Sequence, residues 1–246
     1  MPTFLKHILA YTLIILGITL CTGLGFWQLD RMAIKQNIYT AFSQAESSQP
    51  ALVRSLKSTA ATDPFIPYQS IQIAGILAEK ESIFINNQRM DGQIGYHVIT
   101  PLYFASDEPP LLINRGFIAG KADTGPLNDQ ADLQDLSVSL AGFLIEPPPT
   151  GFLLGDNLTH LPGQFIYLQR LDIALLSQAT GQTYQTHVLL LNKNSTHGFA
   201  RNWQIIAMPP EKHLGYAVQW FALALTLAIL SIIMYIRTHR NEQSTE

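Results

Sequence analysis

The chain has 246 residues, a formal net charge of −3 and one cysteine. Between residues 30 and 213 it carries 12 Lys and Arg against 16 Asp and Glu, which argues against nucleic acid, a partner that needs a basic face. The single cysteine, Cys21, lies in an apolar stretch, so the polar middle of the chain has no disulfide and no thiolate for metal or redox work.

That first stretch, Ile8 to Leu29, is 22 residues without Asp, Glu, Lys, Arg or His, and a second, Leu214 to Ile236, is 23. Roughly 20 apolar residues in a helix cross a bilayer. The sequence therefore predicts a membrane protein with two transmembrane helices, residues 8–29 and 214–236. They flank one extramembrane domain, residues 30–213, and leave a tail, 237–246. The first apolar run exceeds the usual signal-peptide core and no A-x-A-like site follows closely. Leu20 is too bulky, directly before Cys21, for a lipoprotein site. The run is read as a retained span.

Lys6 precedes the first span, and Arg237 and Arg240 follow the second. On the domain side Arg31 and Lys35 are offset by Asp30, and Lys212 by Glu211; with the N-terminal amine outside the first span, this slight bias is read as both termini in the cytoplasm and the domain in the periplasm. Gly17, Cys21 and Gly25 recur every four residues on one helix face, as do Ala224 and Ala228. Small residues let helix backbones approach closely in lipid, so these faces read as a helix pair, with each other or with a partner protein, or as chance.

After the first span, Arg31 to Ser48 continues the helix, and Ser47 to Pro67 reads as a linker or loose helix. The period then shifts to two. Strands are expected from Tyr68 to Gly75, Ser82 to Asn86, Ile94 to Phe104 and Leu111 to Ile118. Asp91-Gly92 is the strongest turn signal, and Pro101 marks an edge or bulge. Lys121 to Asp135 reads as a polar loop. Further strands follow at Leu136 to Ile145, Phe165 to Leu168, Thr186 to Leu191 and Trp203 to Ala207. Asp172 caps a short helix to Ala179, with Gly181 just beyond. The expected fold is a mainly β, barrel-like antiparallel domain with short helices.

No G-x-S-x-G, H-E-x-x-H or P-loop appears, and no nucleophile–base set, so the chain does not read as an enzyme. The seven histidines show no metal-ligand spacing; His187 and His197 read as ordinary residues. Asn114-Arg115-Gly116 interrupts an apolar strand. Buried Arg is costly unless paired, so it reads as a structural ion pair beside a bulge. His213, Tyr216, Ala217 and Trp220 fall at i, i+3, i+4 and i+7, at the start of the second span. A histidine there can ligate a cofactor while aromatics flank it. Equally, Tyr and Trp can serve only as interfacial anchors with a snorkelling His.

Four blocks carry a resemblance. They are Leu24-Gly25-Phe26-Trp27-Gln28-Leu29-Asp30-Arg31 with Lys35, Gly95-Tyr96-His97-Val98-Ile99-Thr100-Pro101-Leu102, Leu112-Ile113-Asn114-Arg115-Gly116-Phe117-Ile118, and His213-Leu214-Gly215-Tyr216-Ala217-Val218-Gln219-Trp220-Phe221. In this order, between two terminal spans, they resemble the surfeit locus protein one family of bacterial type. The family often has Trp where Ile34 and Phe117 stand and Pro where Ala119 stands. The resemblance implies an assembly factor for haem-copper cytochrome c oxidase in the bacterial inner membrane, aiding delivery or insertion of haem a into the catalytic subunit. The implied partners are that subunit, the haem a synthesis machinery and the lipid bilayer. It places His213 as the proposed haem ligand; Tyr216 and Trp220, because they share its helix face, would then line the haem. The alternative is a membrane-anchored structural chaperone of the oxidase subunit that binds no haem. A copper-delivery factor would need thiolates that the domain lacks.

Overall fold

The computed structural model describes residues 3–54, 56, 68–120, 133–147, 157–160, 165–203, 205 and 208–243. Two compact units emerge. One combines residues 1–40 with 204–246, and the other runs from Ala41 to Trp203.

The first unit contains most of α1 (Thr3–Ser47) and all of the last helix, α3 (Pro210–Gln243). Both are long and apolar enough to cross a membrane. At 45 residues, α1 is roughly 67 Å long at 1.5 Å per residue, about twice the hydrocarbon thickness of a bilayer. The apolar run and its polar continuation therefore form one unbroken helix, as the sequence implies. The helices run antiparallel through small residues. A Cβ at Gly25 would lie 2.6 Å from Phe221 Cε1, and one at Gly17 would lie 3.2 Å from Leu227 Cδ1. Cys21, Ala217 and Ala224 are buried between them. Phe26 meets Phe221 edge-to-face at 5.3 Å.

The packing predicts a specific asymmetry. Gly25→Leu drives side-chain atoms into Phe221, and overpacking of this kind costs about 1–3 kcal/mol. Gly23, by contrast, has no atom within 4 Å of its ideal Cβ position, so Gly23→Leu is the matched control. SDS-driven unfolding of the detergent-solubilised chain should shift to lower SDS for Gly25→Leu only; equal midpoints would show that this face does not pack.

Among the described residues the second unit is a nine-stranded mixed sheet with a short α-helix and a 3-10 turn at Glu79–Glu81. The strands are β1 (Ala51–Val53), β2 (Gln69–Ala78), β3 (Ile83–Met90), β4 (Gln93–Tyr103), β5 (Leu111–Ala119), β6 (Asp135–Ile145), β7 (Leu158–His160), β8 (Ile166–Leu168) and β9 (Val188–Leu191). Their order is β1-β2-β6-β9-β5-β4-β3-β8-β7, and β2 also pairs β4. The pairings from β2 through β6, β9, β5 and β4 therefore return to β2 as a ring. Its interior is filled by Ile71, Ile73, Leu77, Leu102, Leu111, Ile113, Leu140, Leu189 and Leu191, the inward half of strands that alternate. A second apolar cluster forms around Ile83, Ile99, Leu168 and Leu176. The end of α1 belongs to this unit: the Phe42 ring packs 4.8 Å from Phe143.

Local signals hold where local chemistry governs. Asp91 and Gly92 both have positive φ, 50° and 79°, as a two-residue primed turn requires. Asp172 Oδ1 accepts from Leu175 N at 3.0 Å, and α2 (Ile173–Thr180) ends at Gly181 with φ 70°. Pro101 lies where β4 exchanges one neighbour for another. Pairing with β3 stops at Ile99 and pairing with β2 begins at Leu102, so its missing N–H leaves no ladder bond unmade on that side.

Three expectations change. The sheet is not wholly antiparallel, because β1–β2, β3–β8 and β5–β9 pair in parallel. The segment read as a linker contains β1, which is three residues long and takes its order from β2. No strand forms at Trp203, whose indole instead donates to Leu191 O at 2.9 Å; Gln204, Ile206 and Ala207 lie outside the described residues, as does most of the expected loop after Gly120.

Candidate functional site

The site forms within the helical unit, where the end of the apolar run of α1 meets the first turn of α3. His213 is buried, 9% exposed. Its Nδ1 lies 2.8 Å from Gln28 Oε1, a contact across 185 residues of sequence. Its Nε2 is buried and has no hydrogen-bond partner among the described residues. A buried polar atom without a partner is uncommon in a folded protein, and where one occurs it often marks a functional group or the place of a ligand or ion.

Helix packing explains how the pair meets. Gly25, one turn before Gln28, lies against Phe221, two turns after His213. On α3 the buried seam is His213, Ala217 and Ala224, at i, i+4 and i+11, one stripe of a 3.6-residue helix. Trp220 borders that seam, half-buried. Tyr216 is 43% exposed and stands on its flank. Gln28 is a participant to which the sequence pattern alone gives no role. Trp27, one residue earlier, is exposed and carries the Arg31 guanidinium 5.6 Å over its ring.

The other described histidines are differently placed. His97 is packed 5.8 Å from Trp203, and burial lowers its pKa to about 4, so it is a neutral packing group at neutral pH. His187 Nδ1 is 3.1 Å from Thr186 Oγ1, and burial lowers its pKa against the opposing pull of Glu146. His197 has a positive φ of 61° and offers its backbone oxygen to Arg115 Nε at 2.7 Å. Among the described residues no group of three or more His, Cys, Asp and Glu is placed to hold a metal ion. A single axial histidine is a different demand, since a macrocycle brings its own equatorial ligands.

Arg115 is the buried ion pair that its strand context implied. Its Nη2 is 2.8 Å from Glu79 Oε1, and its guanidinium lies 4.9 Å over Phe199. The register of β4 on β5 slips from Val98↔Gly116 to Ile99↔Asn114, which leaves Arg115 as the extra residue of a bulge. Gly116, with φ 114°, approaches the Ala200 backbone too closely for a side chain.

The SURF1 family model matches residues 15–225, which takes in the whole sheet, α1 from residue 15 onward and α3 as far as residue 225. A SURF1-like protein of Rickettsia felis is 24% identical over 235 residues, covering 89% of this chain and 94% of its own length. One from Rickettsia conorii is 25% identical over 228 residues, covering 90% and 89%. One from Drosophila melanogaster is 25% identical over 229 residues, covering 85% and 71%. A family match over most of the chain, with its motif blocks placed at the helix pair and the central strands, means that this protein belongs to the SURF1 family.

Proposed function

We propose that the chain is a membrane-anchored assembly factor for haem-copper cytochrome c oxidase that aids delivery or insertion of haem a into the catalytic subunit. One observation supports this most: a histidine at the start of an apolar helix, buried, with one ring nitrogen tied and the other unpartnered among the described residues. That donor set fits the group. A neutral imidazole is the commonest protein ligand to haem iron, and an apolar helix pair suits an apolar macrocycle. Haem a is cargo here: His213 would ligate its iron, and Tyr216 and Trp220 would line the macrocycle. The ring of strands is the barrel-like body of the factor, held in the periplasm by two spans of the inner membrane.

Two experiments test this reading. In a host lacking the chain, purified oxidase catalytic subunit should contain less haem a, and plasmid-borne wild type should restore it; full haem content without the chain would overturn the role. For topology, alkaline phosphatase fused after Asn128 should be active, and fused after Glu246 inactive. The reverse pattern would place the sheet in the cytoplasm.

A further inference from the structure

The contact between His213 and Gln28 fixes the state of the imidazole. Gln28 Oε1 is a carbonyl oxygen and can only accept, so the 2.8 Å contact puts the proton on His213 Nδ1. A neutral imidazole carries one ring proton, so Nε2 then presents a lone pair. Turning the amide round would make Nδ1 the acceptor and put the proton on Nε2, which is buried with no acceptor among the described residues.

The helices hold this arrangement in place. The amide and the ring lie on neighbouring antiparallel helices whose register is set by Gly25 against Phe221 and Gly17 against Leu227. Gln28 is half-buried in that interface.

We infer that Gln28 is the positioning residue of this site: it locks His213 in the Nδ1–H tautomer and leaves the Nε2 lone pair as the donor that a metal would need. Its purpose rests on the haem reading of His213, whereas the tautomer itself does not. In metal sites a ligating histidine almost always donates its other ring N–H to an outer partner, which sets both tautomer and ring orientation. Gln28 fills that part before any metal arrives.

The experiment uses the full-length, haem-free chain in detergent, labelled with 15N-histidine, with His213 assigned by loss of its signals in His213→Ala. Long-range 1H–15N correlation reads which ring nitrogen carries the proton. Wild type should show His213 protonated on Nδ1 alone. Gln28→Met, similar in length but without an acceptor, should reduce that form several-fold. Gln28→Glu, which keeps an acceptor at the same reach, should restore it. Wild type protonated on Nε2, or a Gln28→Met spectrum identical to wild type, would overturn the assignment. Haemin is then titrated into the same samples. Binding by wild type with several-fold weaker retention by Gln28→Met supports both inferences. An Nδ1–H wild type that takes up no haem leaves Gln28 as the tautomer-setting residue and defeats the haem reading alone.

Discussion

Arg115→Leu is expected to destabilise the sheet unit by about 3–5 kcal/mol, the cost of removing one partner from a buried ion pair. The Arg115 and Glu79 side chains are 7% and 13% exposed, with nitrogen and oxygen 2.8 Å apart. Burial lowers the pKa of Arg115, and the Glu79 carboxylate pulls it back up. Removing the guanidinium leaves that carboxylate enclosed and uncompensated. It also frees His197 O and uncovers Phe199. The second substitution is diagnostic: Glu79→Leu added to Arg115→Leu should recover much of the loss, since an apolar pair removes the stranded charge. The urea midpoint for proteolysis of the full chain in detergent measures both. An Arg115→Leu midpoint equal to wild type would mean that the pair is not holding the bulge.

His213→Ala should leave chain level and membrane topology unchanged and lower oxidase activity to near that of a host without the chain. On the proposed reading the expected loss is large because the substitution would remove an iron ligand, where Trp220→Ala would remove only packing beside it. Trp220→Ala should therefore give an intermediate activity, and Tyr216→Ala, at an exposed position, a smaller loss still. His187→Ala is the control, because its ring contacts Thr186 in the sheet unit. Full oxidase activity in His213→Ala at wild-type chain level would show that the role does not run through this residue.

What could be read from the sequence depended on the range of the interaction. Asp91-Gly92, Asp172 and Gly181 are local devices whose backbone needs sit in adjacent residues, and each occupies the turn or cap that its chemistry favours. The apolar runs at both ends identify helices because length and composition suffice. The parallel partners β1, β8 and β9 were not legible in their pairings. A three- or four-residue strand carries too little periodicity to name its neighbour. Likewise Ala51–Val53 lies in a Ser-, Thr- and Pro-rich segment whose composition reads as a linker.

The site divides along the same line. His213 was visible because a histidine at the start of an apolar run stands out against its surroundings. Gln28 was not: a Gln at the end of a span reads as an interfacial polar residue, and its partner is 185 positions away. The helical spacing grouped Tyr216 with His213, since i and i+3 lie about 60° apart. The packed seam instead follows i+4 through Ala217, because small residues set the line of closest approach. A signal was present in Gly25 and Ala217, whose spacing from Gln28 and His213 is one turn each.

The claim that His213 holds haem is tested most directly by the visible absorption spectrum of the full-length chain, purified in detergent from a host that makes haem a. Wild type should carry a haem a spectrum that His213→Ala loses and His187→Ala keeps. A wild-type chain without haem absorption, or a His213→Ala spectrum unchanged from wild type, would contradict it.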